Sequence, residues 1–375
     1  MLWCVNIENI CAKAQIIERF FSDYSSQEAS MDQRQDILAQ WAADQIEQLY
    51  QHSIPAQMVT VSGDASFRRY FRIIYSENGV HKHWIAVDAP PEHENSRQFV
   101  DIANVWSNAG VKVPSVLAFD EAQGFMLLED FGDVLLHPEL TADAADGLYK
   151  SSIDSLIELQ QIARTDNIPA YDRKLLDCEM ALFSDWLCEK HLGLMLSCDE
   201  KLMLNQVFET LANSALAQPQ VMVHRDYHSR NLMVCKANPP LHDKDFIGII
   251  DFQDAVYGPL TYDLVSLLKD CYIQWPREQV LAWLAYFKAK SAQITDINED
   301  QLVRDFDLMG MQRHLKAAGI FARLSLRDGK HGYLNDVPRT CEYIMQTARI
   351  YPEFAAFTEW LESVFLPALN KEKMA

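Results

Sequence analysis

Nowhere in the 375 residues is there an uninterrupted apolar run long enough to cross a bilayer, which excludes a membrane-spanning helix. The opening stretch Met1-Leu2-Trp3-Cys4-Val5-Asn6-Ile7-Glu8 lacks the basic-then-apolar order of a secretion signal, so the chain is expected to stay in the cytoplasm. Zinc spacing is missing as well. Cys4, Cys11, Cys178, Cys188, Cys198, Cys235, Cys271 and Cys341 form no C-x-x-C pair and have no nearby His at ligand spacing, so reduced and mostly buried thiols are expected. Positive charge is scarce: 33 Lys and Arg stand against 53 Asp and Glu, for a net charge of -20. A nucleic-acid or anionic-lipid partner would need a basic patch that the sequence does not offer, so neither is expected. Such a balance suits a solution enzyme acting on a small molecule, and favours cationic substrates. Internal repeats and low-complexity tracts are also lacking.

With 49% hydrophobic and 23% charged residues the chain can bury a sizeable core, and its length suggests two lobes. Residues 1–30 end in the polar run Ser22 to Ser30 and read as an N-terminal extension outside the core fold, followed by Met31. Lobes are then expected over 31–131 and 132–375. From Asp32, the positions Ile37, Leu38, Trp41, Ile46 and Leu49 recur at helical spacing. Strands are expected at Gln57 to Ser62, Arg69 to Tyr75 and Lys82 to Val87, with Glu77-Asn78-Gly79 as the turn between the last two. A helix from Glu92 to Ala109 and strands at Ser115 to Phe119 and Phe125 to Glu129 complete a small lobe with a five-stranded antiparallel sheet. Beyond Asp130-Phe131-Gly132-Asp133 the pattern is mostly helical: about Thr141 to Ala163, Arg173 to His191, Asp199 to Ala217, and again from Thr261. The fold class is therefore α+β.

The informative segment is Val221-Met222-Val223-His224-Arg225-Asp226-Tyr227-His228-Ser229-Arg230-Asn231-Leu232-Met233-Val234, a polar loop between two apolar strands. Its His-x-Asp-x-x-x-x-Asn supplies the parts that phosphoryl transfer to a hydroxyl requires. Asp226 can orient and deprotonate the nucleophile, and Asn231 can offer an amide oxygen to Mg²⁺. Asp251, which ends the apolar run Phe246-Ile247-Gly248-Ile249-Ile250, can reach the same ion. Alone, each has an ordinary role as a turn cap or strand end. Order and context together favour chemistry.

These motifs resemble the catalytic loop and the following metal-binding Asp of the aminoglycoside-phosphotransferase and choline-kinase family, over about Asp32 to the C-terminus. The resemblance implies a two-lobed protein-kinase-like fold and use of ATP and Mg²⁺. It further implies that Asp226 is the catalytic base, that His224 buttresses the loop, and that Asn231 and Asp251 bind the metal. Gly258-Pro259-Leu260-Thr261-Tyr262-Asp263-Leu264 is similar to the family segment whose Asp braces that loop. The wording of these segments, with Gln312-Arg313-His314-Leu315-Lys316 and Gly319 to Leu324, also resembles the bacterial anomeric kinases of cell-wall recycling. That implies phosphate transfer to the C1 hydroxyl of N-acetylmuramate or N-acetylglucosamine. Aminoglycoside, choline, homoserine and other sugar acceptors stay open, as does a nucleotide-binding pseudokinase.

A lactyl carboxylate would be bound best by Arg or Lys. Gln312, Lys316 and Arg323 fall on one face of a helix expected from about Arg304 to Leu326, with Arg313 and Arg327 nearby, and this stripe is expected to face the acceptor. Otherwise it is a solvated basic face. Arg230 and Asp254 are further acceptor candidates. The small lobe departs from the family pattern, because the strand His83-Trp84-Ile85-Ala86-Val87 carries no internal Lys. Ser66, Arg68, Arg69 or Arg72, around the turn Val61 to Phe67, can compensate at the nucleotide phosphates, although solvent-facing arginines are expected for at least two of the three. Adenine is expected against Leu128, Glu129 and Phe131, with Glu129 contributing backbone.

Overall fold

The computed structural model describes residues 33–51, 56–63, 67–77, 80–238, 242–294 and 296–372. The extension 1–30, Ser66 and the Asn78-Gly79 turn lie outside them. By packing, the chain divides into two compact units. One comprises the residues up to Asn104 with Pro114–Asp130, and the other Val105–Val113 with Phe131–Ala375. Residues 105–113 thus belong to the second unit, a reassignment that sequence order alone cannot give.

In the first unit, α1 (33–50) precedes β1 (Ala56–Gly63), β2 (Arg69–Glu77), β3 (Val80–Asp88), α2 (Ser96–Asn108, whose last turn from Val105 belongs to the second unit), β4 (Val116–Asp120) and β5 (Phe125–Glu129). The sheet is antiparallel throughout, in the order β1-β2-β3-β5-β4. Alternation along β2 turns Phe71, Ile73 and Tyr75 to one face. There they meet Leu38, Ala42 and Ile46, which α1 presents at spacings of four. Each such buried large side chain contributes roughly 1.5–3 kcal/mol. The polar ends of the strands are paired internally. Asp88, fully buried at the end of β3, accepts from Arg34 at 2.5 Å and Arg69 at 2.5 Å, while Arg72 binds Asp130 at 2.5 Å and Arg68 binds Glu94 at 3.0 Å. The arginines expected to face solvent are therefore largely withdrawn from it, because three carboxylates of the same unit, Asp88, Glu94 and Asp130, lie within reach.

The second unit is mostly helical. Its helices are α3 (Leu136–Glu139), α4 (Ala145–Gln160), α5 (Arg173–Leu182) and α6 (Cys198–Ala217), then, after the strands, α7 (Tyr262–Leu268), α8 (Arg277–Lys290), α9 (Glu299–Asp328), α10 (Val337–Ile350), α11 (Ala355–Trp360) and α12 (Leu366–Glu372). Two antiparallel pairs interrupt it, β6 (Gln220–Val223) with β9 (Val256–Pro259), and β7 (Leu232–Cys235) with β8 (Phe246–Ile249). The strand β9 is missed by sequence reasoning, since Val256-Tyr257-Gly258-Pro259 is too short and glycine-proline-rich to register until β6 pairs with it.

The 30-residue α9 runs through the centre of this unit against α5, α6, α7 and α10. Asn298 caps its start by accepting from the Gln301 N–H at 2.8 Å, acids occupy its first turn, and Gly329 closes it at φ 68°. The helix expected from Arg173 to His191 changes instead to a π-helical segment over Phe183–His191. That change coincides with the point where Gly319 of α9 is pressed against the Leu182 carbonyl, leaving no space for a Cβ. Among the described residues no helix is long and apolar enough to cross a membrane.

Candidate active site

Two residues with left-handed backbone, Arg225 at φ 77° and Asp251 at φ 63°, mark the ends of β6 and β8. Each costs of order 1–3 kcal/mol for a residue with a Cβ, so the surroundings must hold them there. For Arg225 the hold is Asp263, in the first turn of α7. Its carboxylate accepts the His224 N–H at 2.7 Å and the Arg225 N–H at 3.0 Å. The Arg225 guanidinium is anchored on Glu179 at 2.6 Å and on the Asp254 carbonyl at 3.4 Å.

The loop then folds back on itself. His228 N–H donates to the Asp226 carbonyl and Asn231 N–H to the His228 carbonyl, both at 2.9 Å. Asn231 Nδ2 consequently reaches the Asp226 carbonyl at 3.1 Å and Asp251 Oδ2 at 3.3 Å. The second loop is tied to the first through Ile250, whose N–H donates to Asn231 at 3.1 Å and whose carbonyl accepts from His224 Nε2 at 2.9 Å. Because His224 Nδ1 accepts the Asp226 N–H at 3.2 Å, the ring is neutral with its proton on Nε2. Burial accordingly lowers its pKa to about 4.

The Asp226 carboxylate accepts no hydrogen bond from any described residue, although its backbone is fully engaged. Burial alone would raise its pKa, but the charges of Lys316, His228 and Arg313 outweigh that and bring it to about 2. It is an ionised oxygen acceptor with open lone pairs. Asp263 behaves differently: burial pushes it up to about 7 against the pull of its two N–H donors.

Lys316 and Arg313 come from α9, Lys316 facing α5 and Arg313 facing Cys271 after α7. Lys316 is 7% exposed, which excludes a solvated basic face. Its Nζ lies 3.1 Å from Glu179 Oε1 and 2.9 Å from the Tyr262 hydroxyl. Glu179 also accepts from Tyr171, and Gln312 Nε2 donates to the Tyr171 hydroxyl at 3.2 Å. The expected stripe is thus split. Gln312 and Lys316 enter an internal network, whereas Arg323 is half-buried further along, with its Nε lacking a partner.

Arg230 is exposed, its guanidinium 3.5 Å from the centre of the Tyr272 ring, and Asp254 is exposed beside Gln253. In the first unit Leu128 and Glu129 end β5, the Glu129 side chain accepting from Ser115 Oγ at 3.0 Å. Arg68 and Arg69 have the carboxylate partners given above. The Phe131 ring packs against Gly248 of β8, where any Cβ would collide with it.

For Mg²⁺ the donor set fits. Both Asn231 Nδ2 contacts leave the amide oxygen free beside an Asp251 carboxylate, and Mg²⁺ typically takes one or two such hard oxygens plus phosphate and water. No group of three His, Cys, Asp or Glu capable of a self-sufficient metal cage exists among the described residues.

Sequence reasoning missed Glu179 and Tyr272 as members of this constellation, and left Arg313 at its edge. One signal was present. Asp307, Arg313 and Lys316 interrupt a stretch of α9 that Leu308, Met309, Met311 and Leu315 make too apolar to face water.

A model of the phosphotransferase enzyme family matches residues 57–297. The N-acetylmuramate/N-acetylglucosamine kinase of Pseudomonas putida is 42% identical over 336 residues, covering 88% of this chain and 96% of its own. Among solved structures, the choline kinase of Cryptosporidium parvum superposes with a TM-score of 0.56 at 11% identity, covering 82% of this chain and 94% of its own. An ADP-bound aminoglycoside phosphotransferase, APH(2'')-Ib, does so with a TM-score of 0.52 at 14% identity, covering 80% and 97%. The protein-kinase-like fold expected from the motifs is thereby shared with these kinases.

Proposed function

The chain belongs to the phosphotransferase enzyme family, and from that premise we propose that it transfers the γ-phosphate of ATP to the anomeric hydroxyl of N-acetylmuramate or N-acetylglucosamine. One observation carries the chemistry: an ionised Asp226 carboxylate, accepting from no donor among the described residues, in a loop whose backbone is held by Asp263, His224 and Asn231. The acceptor hydroxyl donates to this carboxylate, which orients its oxygen for in-line attack. As the new O–P bond forms and the bond to the ADP oxygen breaks, the hydroxyl proton passes to Asp226. A pKa of about 2 makes Asp226 a weak base, so orientation comes first and proton transfer late.

Asn231 Oδ1 and the Asp251 carboxylate would hold Mg²⁺, which supplies charge neutralisation at the phosphates when bound. His224 and Asp263 keep the loop in its strained conformation without touching substrate. Lys316 lowers the Asp226 pKa while remaining bonded to Glu179. Nucleotide use draws support from the ADP-bound relative of the same fold, and the amino-sugar acceptor from the curated relatives.

Purified protein incubated with ATP and Mg²⁺ is expected to release ADP with N-acetylmuramate or N-acetylglucosamine, and Asp226→Asn is expected to slow that release by about 10³-fold. Turnover with choline or an aminoglycoside but neither sugar would keep the mechanism and discard the acceptor. Acid lability of the product phosphate, typical of a C1 ester, reports the position of transfer.

A further inference from the structure

Cations drawn wholly or partly out of water in the second unit are of two kinds. Lys269 lies 2.8 Å from Asp307, Lys316 lies 3.1 Å from Glu179, and Arg225 lies 2.6 Å from Glu179. Arg313, one turn before Lys316 on α9, is 5% exposed and has no carboxylate at ion-pair distance among the described residues. Its Nε is buried without a partner, and its Nη1 reaches only the Cys271 sulfur, at 3.8 Å. That thiol does not neutralise it, since burial raises the Cys271 pKa and keeps the S–H intact. Asp270, also within its field, is already bonded to the Ser229 N–H at 2.9 Å, the Ser229 hydroxyl at 2.5 Å and the Tyr272 N–H at 2.9 Å. A guanidinium withdrawn from water with nothing anionic to bind is strongly unfavourable, so folding alone gives no reason for arginine here. Its charge instead falls on Asp226, the residue that meets the acceptor.

We propose that Arg313 is the acceptor-specificity residue, binding the carboxylate of an acidic amino sugar and so favouring N-acetylmuramate over the uncharged N-acetylglucosamine. The assignment rests on the kinase reading of this same site and identifies what distinguishes its two acceptors. An unpaired guanidinium already withdrawn from water is disposed to bind a planar anion, and an anion on the molecule whose hydroxyl Asp226 orients is carried there with the substrate. The phosphoryl group in transit is the other anion of suitable chemistry. It is common to both sugars, which separates the two sources.

The test compares kcat/KM for N-acetylmuramate and N-acetylglucosamine in wild type, Arg313→Met and Arg313→Lys, together with the thermal midpoint of each without ligands. Loss of a buried charge-assisted pair lowers the muramate-to-glucosamine ratio by about 100-fold in Arg313→Met. Arg313→Lys, which keeps the charge but not the planar fork and serves if the methionine variant fails to fold, lowers it by about 10-fold. The ligand-free midpoint of Arg313→Met is expected to equal or exceed that of wild type, since an unpaired buried charge is removed. A ratio unchanged in both variants overturns the proposal, whether or not both rates fall, because Arg313 would then serve the phosphoryl group or Asp226. A folded Arg313→Met with a clearly lower midpoint also overturns it by giving the arginine a structural purpose. Wild-type turnover of neither sugar overturns the kinase reading itself, before any variant is compared.

Discussion

Helix α9 takes part in two buried charge centres, one at its own Asp307 and one where its Arg313 and Lys316 act on Asp226 of the loop after β6, and they are built to opposite ends. At Asp307 every oxygen is in use: Lys269 donates to Oδ1 at 2.8 Å, Arg277 to Oδ1 at 3.0 Å and to Oδ2 at 2.6 Å, and the Tyr351 hydroxyl to Oδ2 at 3.0 Å. Around Asp226 the accounting is left open. Its carboxylate accepts nothing from the described residues, while Arg313 and His228 Nδ1 are buried with groups unmet. The same residue types serve both places. Saturated charge fixes the position of a helix, whereas unsaturated charge leaves capacity for a molecule that comes and goes.

The largest expected effects test that contrast directly. Asp226→Asn should lower kcat by about 10³-fold, as loss of a general base does, while leaving the denaturation midpoint at or above the wild-type value. Asp307→Asn should do the reverse, costing about 3–5 kcal/mol in urea unfolding because two cations lose their partner, with kcat per folded molecule nearly unchanged. If Asp307→Asn instead removed activity from folded protein, the two centres would not be functionally separate.

His224 sharpens the same point through pH. Its folded pKa of about 4 lies below the ordinary 6.5, so between these values the unfolded chain binds a proton that the native state refuses. Its contribution is complete above pH 6.5 and is lost as pH falls to about 4. His224→Gln should therefore flatten the acid side of the stability profile by up to about 3 kcal/mol, measured as the difference from wild type across pH 7 to 4.5. The difference matters because Asp263, raised to about 7, slopes the other way, with the native state binding more protons between 3.8 and 7.

Gly319→Ala should cost about 1–3 kcal/mol by forcing α9 away from Leu182. Since Glu179 of α5 reaches Lys316 of α9 in this same helix pair, kcat should fall with it. Lys316→Met should have the smallest effect, moving the acid limb of kcat/KM upward by about one pH unit as Asp226 loses the cation that most favours its ionised form. An unshifted limb with a raised KM for sugar would return Lys316 to direct acceptor contact.

Much of the small sheet was legible, because period-two alternation reports burial on one face directly; of the helical set expected before it, Leu38 and Ile46 are buried against the sheet while Ile37 and Leu49 stay exposed. The order His224, Asp226, Asn231, Asp251 was legible for a different reason. Phosphoryl transfer constrains residue type and sequence spacing within two short loops, and local backbone bonds then bring the groups together. The stripe on α9 was only half legible. Spacing put Gln312, Lys316 and Arg323 on one face, but could not say that Glu179, from α5, would take Lys316 inward.

By itself, then, the sequence determined which groups stand at the turns after β6 and β8 and which side chains of the sheet seek burial. These depend on neighbours a few residues away. Tertiary structure alone decided which charges are matched: Asp88 with Arg34, Asp307 with Lys269, Glu179 with Arg225 and Lys316, and Arg313 with no carboxylate among the described residues. Whether a buried charge finds its counter-ion depends on distances of a few ångström between segments far apart in the chain, and no local pattern encodes them.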